Sequence, residues 1–153
     1  MTKNPHLLTD IRLRLLDHDL RPVYTIDTDQ RRLPEQPGRY ADMGMISQGD
    51  NLKQAVLVRL LTPKGELSAL GHPEYGSRLH ELIGRQNTDT VRDLVRLYIL
   101  ESLQLESRID KVVTLSVVPA KGTRDRVNVL LQVQPVDKTG IVTIGPFTLE
   151  LEQ

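Results

Sequence analysis

The hydrophobic rhythm of the chain changes twice, and each change marks a change of element. At residues 10–16, Ile11, Leu13 and Leu15 alternate with Arg12 and Arg14, which is strand spacing, although Leu7, Leu8, Ile11 and Leu15 also fit a helical period. Asp17-His-Asp19 reads as a turn, and Arg21-Pro-Val-Tyr-Thr-Ile26 as a second extended run, so the strand reading is preferred and an early hairpin follows. Residues 27–49 carry Pro34, Pro37, Gly38, Gly44 and Gly49 among many charges and predict a long surface connection or arm. Residues 1–49 are thus expected to be an N-terminal hairpin and arm, and residues 50–153 the main domain.

From residue 50 the spacing becomes helical. Leu52, Ala55, Val56 and Leu60 mark one apolar face, Asp50 is placed to cap the first amides, and Pro63 and Gly65 end the element. Residues 77–83 predict a short helix with Ser77 as cap and Gly84 as stop. Thr88 opens a longer one, with Asp89 favourable to the helix dipole in its first turn. Val91, Leu94, Val95, Tyr98, Ile99 and Leu103 form its apolar stripe, while Arg92, Asp93, Arg96 and Glu101 take the wet side. It is expected to run to about residue 106.

The last third returns to a period of two. Val113, Leu115 and Val117 alternate with Thr114 and Ser116, and Val127, Val129, Leu131 and Val133 with Asn128 and Gln132. Residues 121–125 form a hairpin connection and 137–140 a turn. The third strand, 141–151, is interrupted at Gly145-Pro146. Proline lacks a ladder donor, so this strand is expected on an edge or at a bulge. An uncovered edge invites another chain. Strands, then helices, then a C-terminal β-meander indicate α+β, with helices packed on one face of a small antiparallel sheet.

Composition narrows the functional classes. One Phe and no Trp leave the core to Leu, Val and Ile. Twenty basic residues balance twenty acidic ones, which argues against a dedicated nucleic-acid binder and leaves little repulsion between copies in an assembly. With no cysteine, disulfides, Cys-zinc sites and thiol nucleophiles are excluded. No apolar run reaches the roughly 18 residues of a membrane helix, and the N-terminus opens no signal-peptide core. A soluble protein without a membrane partner is expected.

Candidate chemistry concentrates in residues 60–84. Pro63, Gly65, Gly71, Pro73 and Gly76 predict a compact irregular loop, which also carries Lys64, Glu66, His72, Glu74, Tyr75, Arg78, His80 and Glu81. That loop is where a polar site or a docking surface would be built. The two His and two Glu match no zinc spacing and read as capping and loop hydrogen bonds. Glu66, Glu74 and Glu81 are near enough in sequence to suggest a glycosidase pair, but few aromatics are available to stack a sugar. Ser77 lies in no Gly-x-Ser-x-Gly elbow, and Gly65-Glu-Leu-Ser is no phosphate loop. No catalytic residue, metal or cofactor is expected. Glu106-Ser-Arg108 closes the long helix, as a solvated end or as an ion-pair hook for a partner.

Asn51-Leu-x-Gln54, Arg59-Leu-Leu-Thr-Pro-Lys-Gly-Glu-Leu67 and His72-Pro-Glu-Tyr-Gly-Ser-Arg-Leu-His-Glu-Leu-Ile83 together resemble the small baseplate wedge protein of contractile phage tails. Relatives of that family occur in contractile injection systems, R-type pyocins and type VI secretion, often under the label lysozyme-like. The resemblance covers roughly residues 50–135. It implies a non-enzymatic sheath initiator, assembled in the cytoplasm as part of a phage tail or contractile injection particle and present in six copies in a ring around the tail tube, with sheath protein and wedge subunits as partners and tube or hub proteins nearby. Its sheet edges would accept strands from the first sheath ring. Lys64, Glu66, Tyr75 and Arg78 in the loop, and Val142, Phe147 and Leu149 in the last strand, are the docking residues this implies. Family members often carry Glu-Pro-Arg at the end of the long helix, in contact with other wedge subunits. This chain keeps both charges as Glu106 and Arg108 and has Ser107 between them. A peptidoglycan-degrading tail enzyme is the alternative.

Overall fold

The computed structural model describes residues 10–11, 13–14, 25–26, 28–32, 39–43, 45–46 and 48–151. Helices α1 (Gln48–Leu61) and α2 (Asp89–Gln104) pack on one face of an antiparallel sheet of β7 (Ile109–Pro119), β8 (Arg126–Pro135) and β9 (Val142–Glu150), in the order β7-β8-β9. This is the expected α+β arrangement with a C-terminal meander. Short strands precede the helices: β1 (Asp10–Ile11), β2 (Leu13–Arg14), β3 (Thr25–Ile26), β4 (Thr28–Arg32), β5 (Arg39–Met43) and β6 (Met45–Ile46).

The meander is specified by its alternation. Val127, Val129, Leu131 and Val133 are all fully buried, whereas Asn128, Leu130 and Gln132 between them are half-buried on the other face. Ile144, Phe147, Leu149 and Leu151 join them from the chain's last stretch, and Leu52, Val56, Leu60, Val95, Ile99 and Leu103 from the helices. Each such side chain contributes roughly 1.5–3 kcal/mol by leaving water. α2 lies over β7 and α1 over β9.

β9 is an edge strand, and its pairing with β8 shifts register between Val129 and Leu131, opposite Gly145 and Pro146. Both consequences expected of the proline are present. At Gly145 (φ 96°) an added Cβ would stand 2.7 Å from the Val129 carbonyl oxygen, so glycine is needed at the bulge.

The sequence reading needs correction at five places. β7 is irregular between Val112 and Thr114, so Val113 is 44% exposed instead of inward, while Val112 packs on the core. One extra residue reverses side-chain parity, and alternation alone does not reveal it. α1 begins at Gln48, so Asp50 lies inside the first turn, near Lys53 at 3.8 Å. The short helix is a single 3-10 turn, Leu79–Leu82. Ser77 lies ahead of it, buried, with its hydroxyl donating to the Leu60 carbonyl at 2.7 Å and its amide to that of Thr62 at 2.8 Å. α2 stops at Gln104, short of residue 106, while its start is as read: the Thr88 hydroxyl accepts from the Val91 amide at 3.2 Å.

The fifth place is the arm. β2 and β3 pair as the early hairpin requires, Leu13 opposite Ile26 and Arg14 opposite Thr25. Within 27–49, however, β4 and β5 form a second ladder from Thr28 opposite Met43 to Arg32 opposite Arg39, and β6 pairs with β1. This ribbon is mostly polar in sequence, so main-chain bonds carry it and no apolar period announces it. The Leu13 amide donates to Gln54 Oε1 at 2.8 Å, which ties the strands to α1. The Asp17-His-Asp19 turn and the connection holding Pro34, Pro37 and Gly38 lie outside the described residues.

Candidate functional site

The loop between the 3-10 turn and α1 is rigid because its backbone is closed on itself. Pro63 and Ser77 form a parallel bridge, the Lys64 amide donates to the Ser77 carbonyl at 2.9 Å, and the buried Ser102 hydroxyl of α2 donates to the Gly76 carbonyl at 2.9 Å. Gly76 (φ 107°) is where the two strands of the loop touch: a Cβ there would collide with the Thr62 carbonyl and stand 2.9 Å from the Lys64 amide nitrogen.

This frame presents a charged network along α2. Lys64 Nζ lies 3.1 Å from Glu101 and 3.2 Å from Glu74, and these hydrogen bonds, Glu101 first, raise its pKa. Arg78 donates twice to Glu81, at 3.1 and 2.9 Å, and stacks 4.4 Å above the Tyr98 ring. Glu66, from the same segment, is exposed. The structure therefore brings Lys64 and Arg78 together on one surface with Glu101, which the sequence placed on the wet face without a role.

A second cluster is buried. Glu106 is 6% exposed and receives Arg59 Nη2 at 3.3 Å and Arg108 at 2.7 and 3.2 Å, with the Arg108 amide adding a longer bond at 3.3 Å. Burial by itself pushes the Glu106 carboxyl up; the bonds and charge of Arg108, with the charge of Arg59, outweigh it and leave the pKa below the usual glutamate range. Tyr75 stacks under the Arg59 guanidinium at 4.5 Å. Glu106 and Arg108 thus sit in an intramolecular triad that clamps the end of α2 to α1. Sequence reading missed Arg59. Its signal was a charge at the buried position between Val56 and Leu60. A groove of about 440 Å³ borders this cluster, lined among others by Asn51, Gln54, Tyr75 and Arg108.

Of the β9 candidates, Phe147 and Leu149 are 5% exposed and belong to the chain's own core, and Val142 packs partly against it. What β9 can offer a partner is main chain.

Neither displaced carboxylate suits general acid catalysis. Two bonds from Arg78 hold Glu81 below the usual range, and Glu106 is held there as described, whereas a glycosidase acid needs a raised pKa. Among the described residues, no three His, Asp or Glu side chains converge as metal ligands would, and no helix is long and apolar enough to cross a membrane.

No protein-family model matches the chain, and neither does any curated protein. Among solved structures, a protein from Geobacter sulfurreducens that bears the provisional name tail lysozyme superposes with a TM-score of 0.57 at 16% identity. The match spans 68% of this chain and 91% of that one. The two proteins share the α+β fold.

Proposed function

We propose that this protein is a structural subunit of a contractile tail or injection apparatus, placed at the baseplate, where it starts assembly of the sheath. The observation that carries the reading is the fold shared over 91% of a chain named for a tail. Three features support it. The loop of residues 62–82 is a preformed, charged and rigid surface suited to docking. The sheet has two edges, and an edge is a template for main-chain pairing. The sequence motifs between Asn51 and Ile83 resemble those of baseplate wedge proteins.

In this reading the partners are the sheath protein and neighbouring wedge subunits, with tube or hub proteins near. Six copies ring the tube, and neither nucleic acid nor membrane is bound. The protein is not an enzyme. The lysozyme in the neighbour's name is the second reading, and the ionised state favoured for Glu81 and Glu106 speaks against it.

Deleting the gene in a producing cell tests the proposal. Tube and spike proteins should persist while sheathed particles vanish from negative-stain images; a normal yield of sheathed particles would refute it. A zymogram of the purified protein on peptidoglycan should stay opaque. A clearing band lost on Glu81→Ala would establish the enzyme instead.

A further inference from the structure

The N-terminal ribbon carries a charge pattern that its own ladder leaves unbalanced. β4 and β5 form a sheet of two strands, and among the described residues no third strand lies beside either of them. Their register sets Asp29 opposite Asp42 and Arg32 opposite Arg39. Like charges directly opposite one another weaken a ladder. Hydrophobic residues do not compensate: β4 reads Thr-Asp-Gln-Arg-Arg, and only Tyr40, Ala41 and Met43 of β5 are hydrophobic. A two-stranded ribbon of this composition is marginal by itself and gains from further strands. The ribbon lies outside residues 50–135, to which the resemblance to wedge proteins is confined.

Charges on an edge strand usually keep other chains away. On β4 their order does the opposite toward an identical strand. Two antiparallel copies of one strand, related by a two-fold axis, keep matching faces only when some residue lies opposite its own mate on the axis. With Gln30 on the axis, Asp29 stands opposite Arg31 of the partner subunit, Arg31 opposite the partner's Asp29, and Arg32 opposite the partner's Thr28. The next permitted registers put Asp29 or Arg31 on the axis, opposite its own mate, and are repulsive. On β5, registers centred on Tyr40 or Ala41 bring no opposite charges together, and the one centred on Asp42 opposes two acids.

We infer that the lateral edge of β4 pairs with the same edge of a second copy of this chain, giving a four-stranded sheet in the order β5-β4-β4-β5. Alternation puts Asp29, Arg31, Tyr40 and Asp42 on one face of the ribbon. A row across the joined sheet on that face reads Asp42, Asp29, the partner's Arg31 and the partner's Tyr40. Each Asp29 thus gains a cation opposite, on the side away from Asp42. The zero net charge of the chain adds little long-range repulsion between copies. β3 and β6, which flank the ribbon, pair with β2 and β1, and the Leu13 amide ties β2 to α1, so joined ribbons link two whole domains. A two-fold contact joins copies in pairs and cannot propagate around a ring. The pairing is therefore separate from the ring contacts of the proposed tail role and does not depend on that role.

Sedimentation equilibrium of the full chain, from micromolar to millimolar protein, tests it. It should show a monomer–dimer equilibrium that weakens with added salt. Asp29→Lys and Arg31→Asp should each raise the dissociation constant at least about tenfold, because two favourable oppositions become two unfavourable ones. The double variant Asp29→Lys, Arg31→Asp rebuilds both pairs with the signs exchanged and should recover the dimer. Within one chain, Asp29→Lys removes the like-charge opposition to Asp42, so a role confined to the monomer's own ladder predicts a more stable ribbon and unchanged association. A chain that stays monomeric over the whole range overturns the inference. A dimer that neither single variant weakens, or that the double variant fails to recover, places the contact elsewhere on the molecule and overturns it equally.

Discussion

Glu106 and Arg59 lie 47 residues apart in the chain and meet at 3.3 Å in the interior, where Arg108 closes on the same carboxylate. Two guanidinium groups thus share one buried anion. The pair holds the end of α2 against α1, and the same α1 residue stacks on Tyr75 of the loop. The residues that looked most like a hook for partners are first a clamp within the fold, and only Arg108, at its rim, has side-chain surface left to offer.

Replacing Glu106 by Gln keeps the shape and removes the charge. Two cations are then left without their counter-ion, one of them almost fully buried. Unfolding in urea should show a loss of about 3–5 kcal/mol, the usual cost of breaking a buried pair from one side. A loss below 1 kcal/mol would mean the triad is not holding the helices.

The same group gives a pH dependence with a definite sign. The Glu106 pKa is lower in the folded chain than the ordinary 4.5. Its stabilisation is therefore fully present above the ordinary value and is lost as pH falls through the lower folded one. Thermal melts taken from neutral to strongly acidic pH should fall more steeply for the native chain than for Glu106→Gln. Parallel curves would show that another group dominates acid unfolding.

Gly76→Ala should destabilise by about 2–4 kcal/mol, because a positive φ and a backbone collision add together. The cost should appear as loss of protection at Lys64 and Ser77, whose amides pair across the loop. If the Ala variant melts with the native protein, the close approach of the two loop strands is wrong.

Leu131 and Val113 make a paired test of sheet facing. Leu131→Asp puts an unpaired charge in the fully buried centre of the middle strand and should prevent folding. Val113→Asp lies on the bulge and should change stability by no more than about 0.5 kcal/mol. Equal damage from both, measured by circular dichroism, would contradict the parity reversal at Val112.

The long-period features of this chain were legible from residue order. Alternation from Val127 to Val133 fixed the middle strand, the apolar stripe from Val91 to Leu103 fixed α2, Thr88 fixed its start, and Pro146 foretold an edge or a bulge. These are local rules: a side chain's face follows from spacing, and a cap or a missing donor acts within one turn. The β4–β5 ribbon, the inverted Val113 and the shortened 3-10 turn were hidden, because polar pairing, a one-residue bulge and the Ser77 bond to Leu60 leave no periodic trace. The site depended most on tertiary structure. Sequence supplied Glu106 and Arg108 but not Arg59, and Lys64 and Arg78 but not Glu101, since ion pairs across dozens of residues form only when packing brings helices together. That Arg96 of α2 donates to the Val117 carbonyl was likewise decided by the seating of α2 on β7, which no spacing rule contains.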